Sequence, residues 1–308
     1  MNKKEGAYLA RHIIGMFDSG VGGLTVMKRV LAAIPEARVV YFGDTARVPY
    51  GNRSKEELIR LGEEIITFLI GQGAEAIVMA CNTSSALSLP TLQERFTIPI
   101  IGTIDQGAGL AVQLTREGRI GLIATEGTVR SKAYSLAISQ ALSRGILPEN
   151  ERLRRSWQQG EQPVSLVRAQ ACPLFVPIVE AGLANSGEAR VIAKFYLAPL
   201  LEAKVDSVIL GCTHYPFLSA VLREILGEDV RLVDPAEAMV QELQKVLLAL
   251  DSAALKQRES KGEDSGGRRK DWRVRYYVSG NPELFAQVGN TLLDEPITGV
   301  HQHDWCEQ

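Results

Sequence analysis

The chain of 308 residues is 45% hydrophobic and 23% charged, the balance of a soluble globular protein with length for about two domains. Its 34 basic and 36 acidic residues leave a formal charge of -2, which argues against a nucleic acid or an anionic membrane as partner. The four cysteines form no Cys-x-x-Cys pair and the N-terminus has no apolar signal segment, so free thiols in a reducing cytoplasm are expected rather than a disulfide framework or a structural zinc.

Residues 12–17 read as a strand that ends at Asp18-Ser19-Gly20-Val21-Gly22-Gly23, before a helix to about residue 33. Glycines there permit a tight turn, and the helix that follows offers free N–H groups to a carboxylate or phosphate. The loop does not fit the dinucleotide fingerprint, because its third glycine is missing at the required offset. Residues 39–43 give the next strand. Ser54, with Glu57 three residues on, is a capping box that opens a helix to about residue 71. The apolar run at 77–80 then stops at Cys81-Asn82-Thr83-Ser84-Ser85, as a buried parallel strand does when it delivers its last side chain into a crevice. A helix near 89–95 and a strand over 98–101 follow.

A second unit opens with a strand at 120–124, followed by a helix over 128–143, a strand over 164–169 and a helix over 188–202. The phrase at 75–86 then returns at 206–216: an acidic residue, an apolar run, and a strand end carrying Cys212-Thr213-His214-Tyr215-Pro216. A helix at 217–226, a strand at 231–233, a helix to about residue 250, a strand at 274–279 and a helix at 282–292 complete the chain. The charged, Gly- and Ser-containing stretch 251–271 reads as a flexible surface insertion. Alternating strands and helices give an α/β fold class, with ligands at the carboxyl ends of parallel strands. The echo predicts two pseudo-symmetric, Rossmann-like parallel-sheet domains with the site in the cleft between them. The expected division is 1–104 with 218–308 as the first domain and 105–217 as the second.

A cysteine at a strand end, beside a helix N-terminus and free hydroxyls, has the setting of a nucleophile or base, although a lone cysteine is as readily a small core residue. Two of them in echoing contexts favour function for Cys81 and Cys212. Cys172 and Cys306 lack that context and read as inert. Two facing thiols suit moving a proton across a plane, one removing it from a carbon and the other returning one to the opposite face, which is racemisation or epimerisation without a cofactor. Ser19, Asn82, Thr83 and Thr213 offer donors for a substrate carboxylate. Asp18 and His214 stand where they can tune the thiols.

At these residues the chain resembles the glutamate racemase family. The resemblance rests on Asp18-Ser19-Gly20-x-Gly22-Gly23, Gly43-Asp44-x4-Pro49-Tyr50-Gly51, Ala80-Cys81-Asn82-Thr83 and Gly211-Cys212-Thr213-His214-Tyr215-Pro216, together with Gly127-Thr128-x2-Ser131-x2-Tyr134 and Cys172-Pro173-x2-Val176-Pro177-x2-Glu180. It implies a cofactor-independent cytoplasmic enzyme that supplies D-glutamate for peptidoglycan, with no metal. It further implies that Cys81 takes the α-proton of D-glutamate and Cys212 that of L-glutamate, that Asp18 and His214 assist Cys81 and Cys212 respectively, and that Glu180 lies near the second thiol. Asp18, Ser19, Tyr50, Gly51, Asn82, Thr83, Thr125, Thr213 and His214 would hold the substrate. The expected partner is glutamate itself, with a homodimer as the candidate assembly and neither membrane nor nucleic acid involved.

Three rivals are separable by chemistry. A cysteine amidohydrolase would release ammonia from glutamine, but it leaves Cys81 without a role and places its base two residues from its nucleophile on one strand end. A ligand-binding protein would bind without exchanging an α-proton. An aspartate racemase would be distinguished by its substrate.

Overall fold

The computed structural model describes residues 12–261, 272–293 and 296–305. Among the described residues ten strands form two parallel sheets. The first has six strands in the order β10-β9-β2-β1-β3-β4, and the second has four in the order β6-β5-β7-β8. In the first sheet β1 is Ile13–Asp18, β2 Arg38–Gly43, β3 Ala76–Met79, β4 Ile100–Ile101, β9 Val274–Val278 and β10 Val300–Gln302. In the second, β5 is Arg119–Ala124, β6 Ser165–Ala171, β7 Ser207–Gly211 and β8 Arg231–Val233. The central strands β1, β3 and β7 are buried at every position, which is why they read as unbroken apolar runs rather than as alternation.

Register sets the functional end of each sheet. Phe17 pairs with Phe42 on one side and Met79 on the other, so the residues that leave β1, β2 and β3 emerge together. Ala124 pairs with Gly211, which aligns Thr125 and Cys212 in the same way. The capping box forms: Glu57 N donates to Ser54 Oγ at 3.2 Å, and Ser54 N donates to Glu57 Oε2 at 2.9 Å. The helix Lys55–Gly71 that it opens buries Leu58, Leu61, Ile65, Ile66 and Leu69 along one stripe, each contributing about 1.5–3 kcal/mol of apolar burial.

Several elements differ from the sequence expectation. The stretch expected as one helix over 128–143 is two, Glu126–Ser131 and Ala133–Ser143, separated by Lys132 in the left-handed region at φ 57°. Helices Ile104–Leu114, Glu151–Gln158 and Phe175–Glu180 were not anticipated. Strand β8 pairs with β7, so the chain returns to the first sheet after Val233 rather than at residue 218. The return runs through helix Pro235–Lys261, whose Ala236, Met239, Val240, Leu243 and Leu247 pack in one core with β1 and β2 side chains such as Ile14, Met16 and Tyr41. That helix continues to Lys261, so the first eleven residues of the expected insertion are helical, while 262–271 lie outside the described residues. Among the described residues no helix is long and apolar enough to cross a membrane.

An ion cluster centred on the buried His12 links this returning helix to the first sheet. His12 Nδ1 lies 2.6 Å from Glu75 Oε2, just before β3, and His12 Nε2 lies 3.2 Å from Asp251 Oδ1, an ion-pair distance without hydrogen-bond alignment. The hydrogen bond to Glu75 raises the His12 pKa, burial opposes it, and the charges of Glu75 and Asp251 add to the rise. A histidine whose folded value exceeds its unfolded one stabilises fully below about pH 6.5 and loses that contribution as pH climbs through the folded value. Chemical unfolding of His12→Gln is therefore expected to show a deficit of about 1 kcal/mol at pH 5.5 that shrinks at pH 9. A deficit independent of pH would remove the ionic account.

Candidate active site

The two sheets meet at their carboxyl ends. Asp18, the last residue of β1, is fully buried, and its Oδ2 accepts from Gly20 N at 3.0 Å. Its Oδ1 accepts from Thr213 Oγ1 at 3.3 Å, a bond from the second sheet's strand end to the first's. Thr25 Oγ1 adds a second link, to the Thr213 carbonyl at 3.1 Å. Gly22 makes this approach possible: a Cβ there would lie 2.3 Å from Thr213 Oγ1 and 2.4 Å from His214 Nδ1.

Cys81 is the residue before helix Asn82–Leu87 and Cys212 follows β7; both are 6% exposed. The Cys81 thiol donates to Ser19 Oγ at 3.8 Å. Burial lifts the Cys81 thiol to about 12, the nearby Asp18 charge pushes the same way, and a smaller upward push comes from Cys212. Ser19, the partner of Cys81, adjoins Asp18 in the chain, and Thr213, the partner of Asp18, adjoins Cys212, so the Asp18–Thr213 bond links the two thiol-bearing strand ends. Asp18 is raised from its ordinary value by burial, against the pull of His214 and its hydrogen bonds.

On the second side Cys212 Sγ lies 3.8 Å from His214 Nδ1, and His214 Nε2 lies 2.9 Å from Glu180 Oε1. Burial draws the His214 imidazole down, but the hydrogen bonds with Cys212 and Glu180 outweigh it and carry the pKa up to about 10. His214 is then an imidazolium at neutral pH, placed to stabilise negative charge on a neighbouring sulfur. Glu180 reaches it from the end of helix Phe175–Glu180.

Hydroxyls and loop backbone line the remaining boundary. Thr83 Oγ1 and Thr125 Oγ1 are 2.8 Å apart, and Thr128 Oγ1 is 3.0 Å from the Thr125 hydroxyl. Thr125 also caps helix Glu126–Ser131. The Tyr50-Gly51 loop closes against the same corner, since a Cβ on Gly127 would meet the Gly51 carbonyl at 2.6 Å. Asn82 is oriented by Tyr134, whose hydroxyl donates to Asn82 Oδ1 at 2.7 Å and so leaves the amide NH2 to act as donor elsewhere.

The anticipated residues therefore sort into three groups. Asp18, Ser19, Cys81, Thr213, Cys212, His214 and Glu180 form three bonded sets, Cys81 with Ser19, Asp18 with Thr213, and Cys212 with His214 and Glu180, joined through the chain at 18–19 and 212–214. Thr83 with Thr125, and Gly51 with Gly127, form the adjoining corner. Asn82 and Tyr50 abut it through backbone position and turn their polar atoms to Tyr134 and Asp44. Tyr134 and Thr128 had a sequence signal, the Gly127-to-Tyr134 motif, whose physical use was not apparent. Cys172 is buried with its thiol near the Gln170 carbonyl, consistent with a core role, and Cys306 lies outside the described residues. No group of three metal-ligating side chains occurs among the described residues. A surface cavity of about 380 Å3 is lined by residues such as Leu89, Gln93 and Glu242, none of them in this cluster.

The His214–Glu180 pair makes a measurable claim. In Glu180→Gln the imidazole loses its carboxylate partner, so its NMR titration midpoint should fall from near 10 toward the ordinary histidine value, with a loss of about tenfold in turnover. An unmoved midpoint would show that Glu180 does not set the charge of His214.

Comparisons with known proteins identify the family. Residues 14–243 match the family Asp/Glu/Hydantoin racemase. A glutamate racemase of Desulforudis audaxviator (strain MP104C) is 43% identical over 295 residues, covering 95% of this chain and 98% of the relative. Crystal structures of glutamate racemases from Thermus thermophilus, in complex with beta-chloro-D-alanine, and from Francisella tularensis, in complex with D-glutamate, superpose with TM-scores of 0.73 and 0.74. They share 35% and 32% identity, over 97% and 96% of this chain and 99% and 98% of theirs. The chain belongs to the Asp/Glu/Hydantoin racemase family, among its glutamate racemases.

Proposed function

We propose that the chain interconverts L- and D-glutamate by a two-base proton transfer, with Cys81 and Cys212 as the bases, and supplies D-glutamate for peptidoglycan. The observation that supports this reading is the placement of two buried thiols at matching strand ends of two sheets that are joined by the Asp18–Thr213 bond, beside hydroxyl and amide groups. The D-glutamate bound by the Francisella tularensis relative supports the choice of substrate. Glutamate entering here finds Thr83, Thr125 and Thr213 hydroxyls and the Asn82 amide as donors for its carboxylates. Asp18, whose charge is buried, suits the α-ammonium.

One thiolate takes the α-proton, and the electron pair of the C–H bond passes into the carboxylate as an enediolate. The opposite thiol then delivers its proton to the other face. In the direction that starts from L-glutamate, Cys212 is the base and His214 balances its charge. In the reverse direction Cys81 is the base, beside Asp18 and Ser19. The poor acidity of the α-carbon is met by donors aimed at the enediolate in a site closed to water. We also read the chain as two units, one around each sheet, and the pairing of β8 with β7 supports grouping 231–233 with the second.

The test is racemisation of both enantiomers, followed by circular dichroism without pyridoxal phosphate, alongside an aspartate control. Cys81→Ser and Cys212→Ser should each lose at least about a thousandfold of activity in both directions, because one base cannot serve both faces. In D2O the product should carry deuterium at the α-carbon. Substantial racemisation by either single variant, or product that keeps its original proton, would falsify the two-thiol assignment.

A further inference from the structure

Asp44 leaves the end of β2 fully buried, where an unpaired carboxylate would be costly. Three side chains satisfy it. Arg47 Nε lies 2.8 Å from both carboxylate oxygens, Ser279 Oγ donates to Oδ1 at 2.7 Å, and the Tyr50 hydroxyl donates to Oδ2. One charge thus ties together the loop after β2, the end of β9 and Tyr50. The Tyr50 ring in turn packs in a single apolar cluster with Leu58, Leu61 and Cys81. A displacement of Tyr50 is therefore a displacement of the wall beside the Cys81 thiol and of the adjoining Gly51 loop.

The C-terminal segment covers the Arg47 guanidinium. Nε meets Asp44 and Nη1 bonds Glu64 on the helix Lys55–Gly71, which set two of its edges. Its face is stacked, with the central carbon 4.4 Å from the centroid of the Trp305 ring. Trp305 is itself braced against Phe42 of β2 at 5.3 Å between ring centroids and edge-on against His303 at 4.5 Å. His303 N donates to the Val278 carbonyl at 2.8 Å, which anchors the segment to β9.

We propose that Trp305 is a positioning residue for the substrate: acting through Arg47 and Asp44, it holds Tyr50 and Gly51 in the geometry that binds glutamate beside Cys81. None of Trp305, Arg47 and Asp44 takes part in proton transfer, so the effect falls on binding more than on chemistry. The proposal rests on the racemisation reading above.

Steady-state racemisation by Trp305→Ala, Trp305→Phe, Tyr50→Phe and the Trp305→Ala/Tyr50→Phe double variant tests it. Trp305→Ala should raise KM for glutamate about tenfold with kcat within about threefold of the parent, whereas Trp305→Phe, which keeps an aromatic face for the guanidinium, should restore KM to within about twofold. The double variant should be no worse in KM than the worse single one, because both act through the same carboxylate. A parent-like KM in Trp305→Ala, multiplying effects in the double variant, or a loss that phenylalanine leaves unrepaired overturns the proposal. If Trp305→Ala does not fold, Arg47→Lys is read instead: it keeps the charge and loses the planar stack, so KM should again rise, and an unchanged KM overturns the proposal. Calorimetric glutamate binding, run on every variant, separates the two claims. A parent that binds but does not racemise glutamate overturns the function, while the ratio of Kd values still decides the positioning.

Discussion

The site depends on the Thr213 hydroxyl reaching the Asp18 carboxylate across the two sheets. That bond joins residues 195 positions apart, and it forms only because Gly22 has no side chain where Thr213 and His214 come to rest. A methyl group there would have to displace a hydroxyl and an imidazole that have partners of their own. The same approach removes Asp18 from water, which raises its pKa, and places its charge near Cys81, which helps raise that thiol in turn. Contact between the sheets and the electrostatics of the site are thus one constraint.

Charge is not distributed evenly about the two sulfurs. Cys212 has an imidazolium neighbour whose charge is secured by Glu180, while Cys81 has a hydroxyl and a buried carboxyl. Burial and the Asp18 charge hold the Cys81 thiol well above its ordinary range, to about 12, so its thiolate is disfavoured in the unliganded site. On the Cys212 side a cationic partner is already within reach of the sulfur.

Strand ends were legible in the sequence because a buried parallel strand has to be apolar throughout and has to stop abruptly where a ligand is met. The runs into Asp18, Cys81 and Cys212 carry that signature, and so does the Ser54–Glu57 cap, whose partners are three residues apart. Helix Ile104–Leu114 escaped notice because its sequence, IDQGAGLAVQL, has glycines at Gly107 and Gly109 that lower helix propensity. The structure uses one of them for close packing, since a Cβ on Gly107 would lie 2.8 Å from Pro235. The break at Lys132 is a backbone conformation that no side chain there announces. Strand β8 has three residues, and its choice of β7 as neighbour is a matter of global register. Only the family resemblance marks Glu180 in the sequence: its partner His214 is 34 residues away, and nothing local in either segment specifies the pairing.

The echo between the halves extends to the thiols but not to what stiffens them. The second thiol is braced within its own half, by Glu180 through His214. The first borders Tyr50, whose hydroxyl is held by Asp44, and Asp44 is held in turn by Ser279 at the end of β9. Of these groups Ser279 comes from chain that has crossed the second sheet and returned through the helix Pro235–Lys261. The first half therefore completes its wall only after the second half has been laid down, and its six-stranded sheet includes two strands, β9 and β10, for which the four-stranded sheet has no counterpart. Matching cysteines at matching strand ends thus sit in walls of different origin, one local and one assembled from the two ends of the chain. Substitutions far along the sequence from Cys81 can consequently act on its side of the site while leaving the Cys212 side untouched.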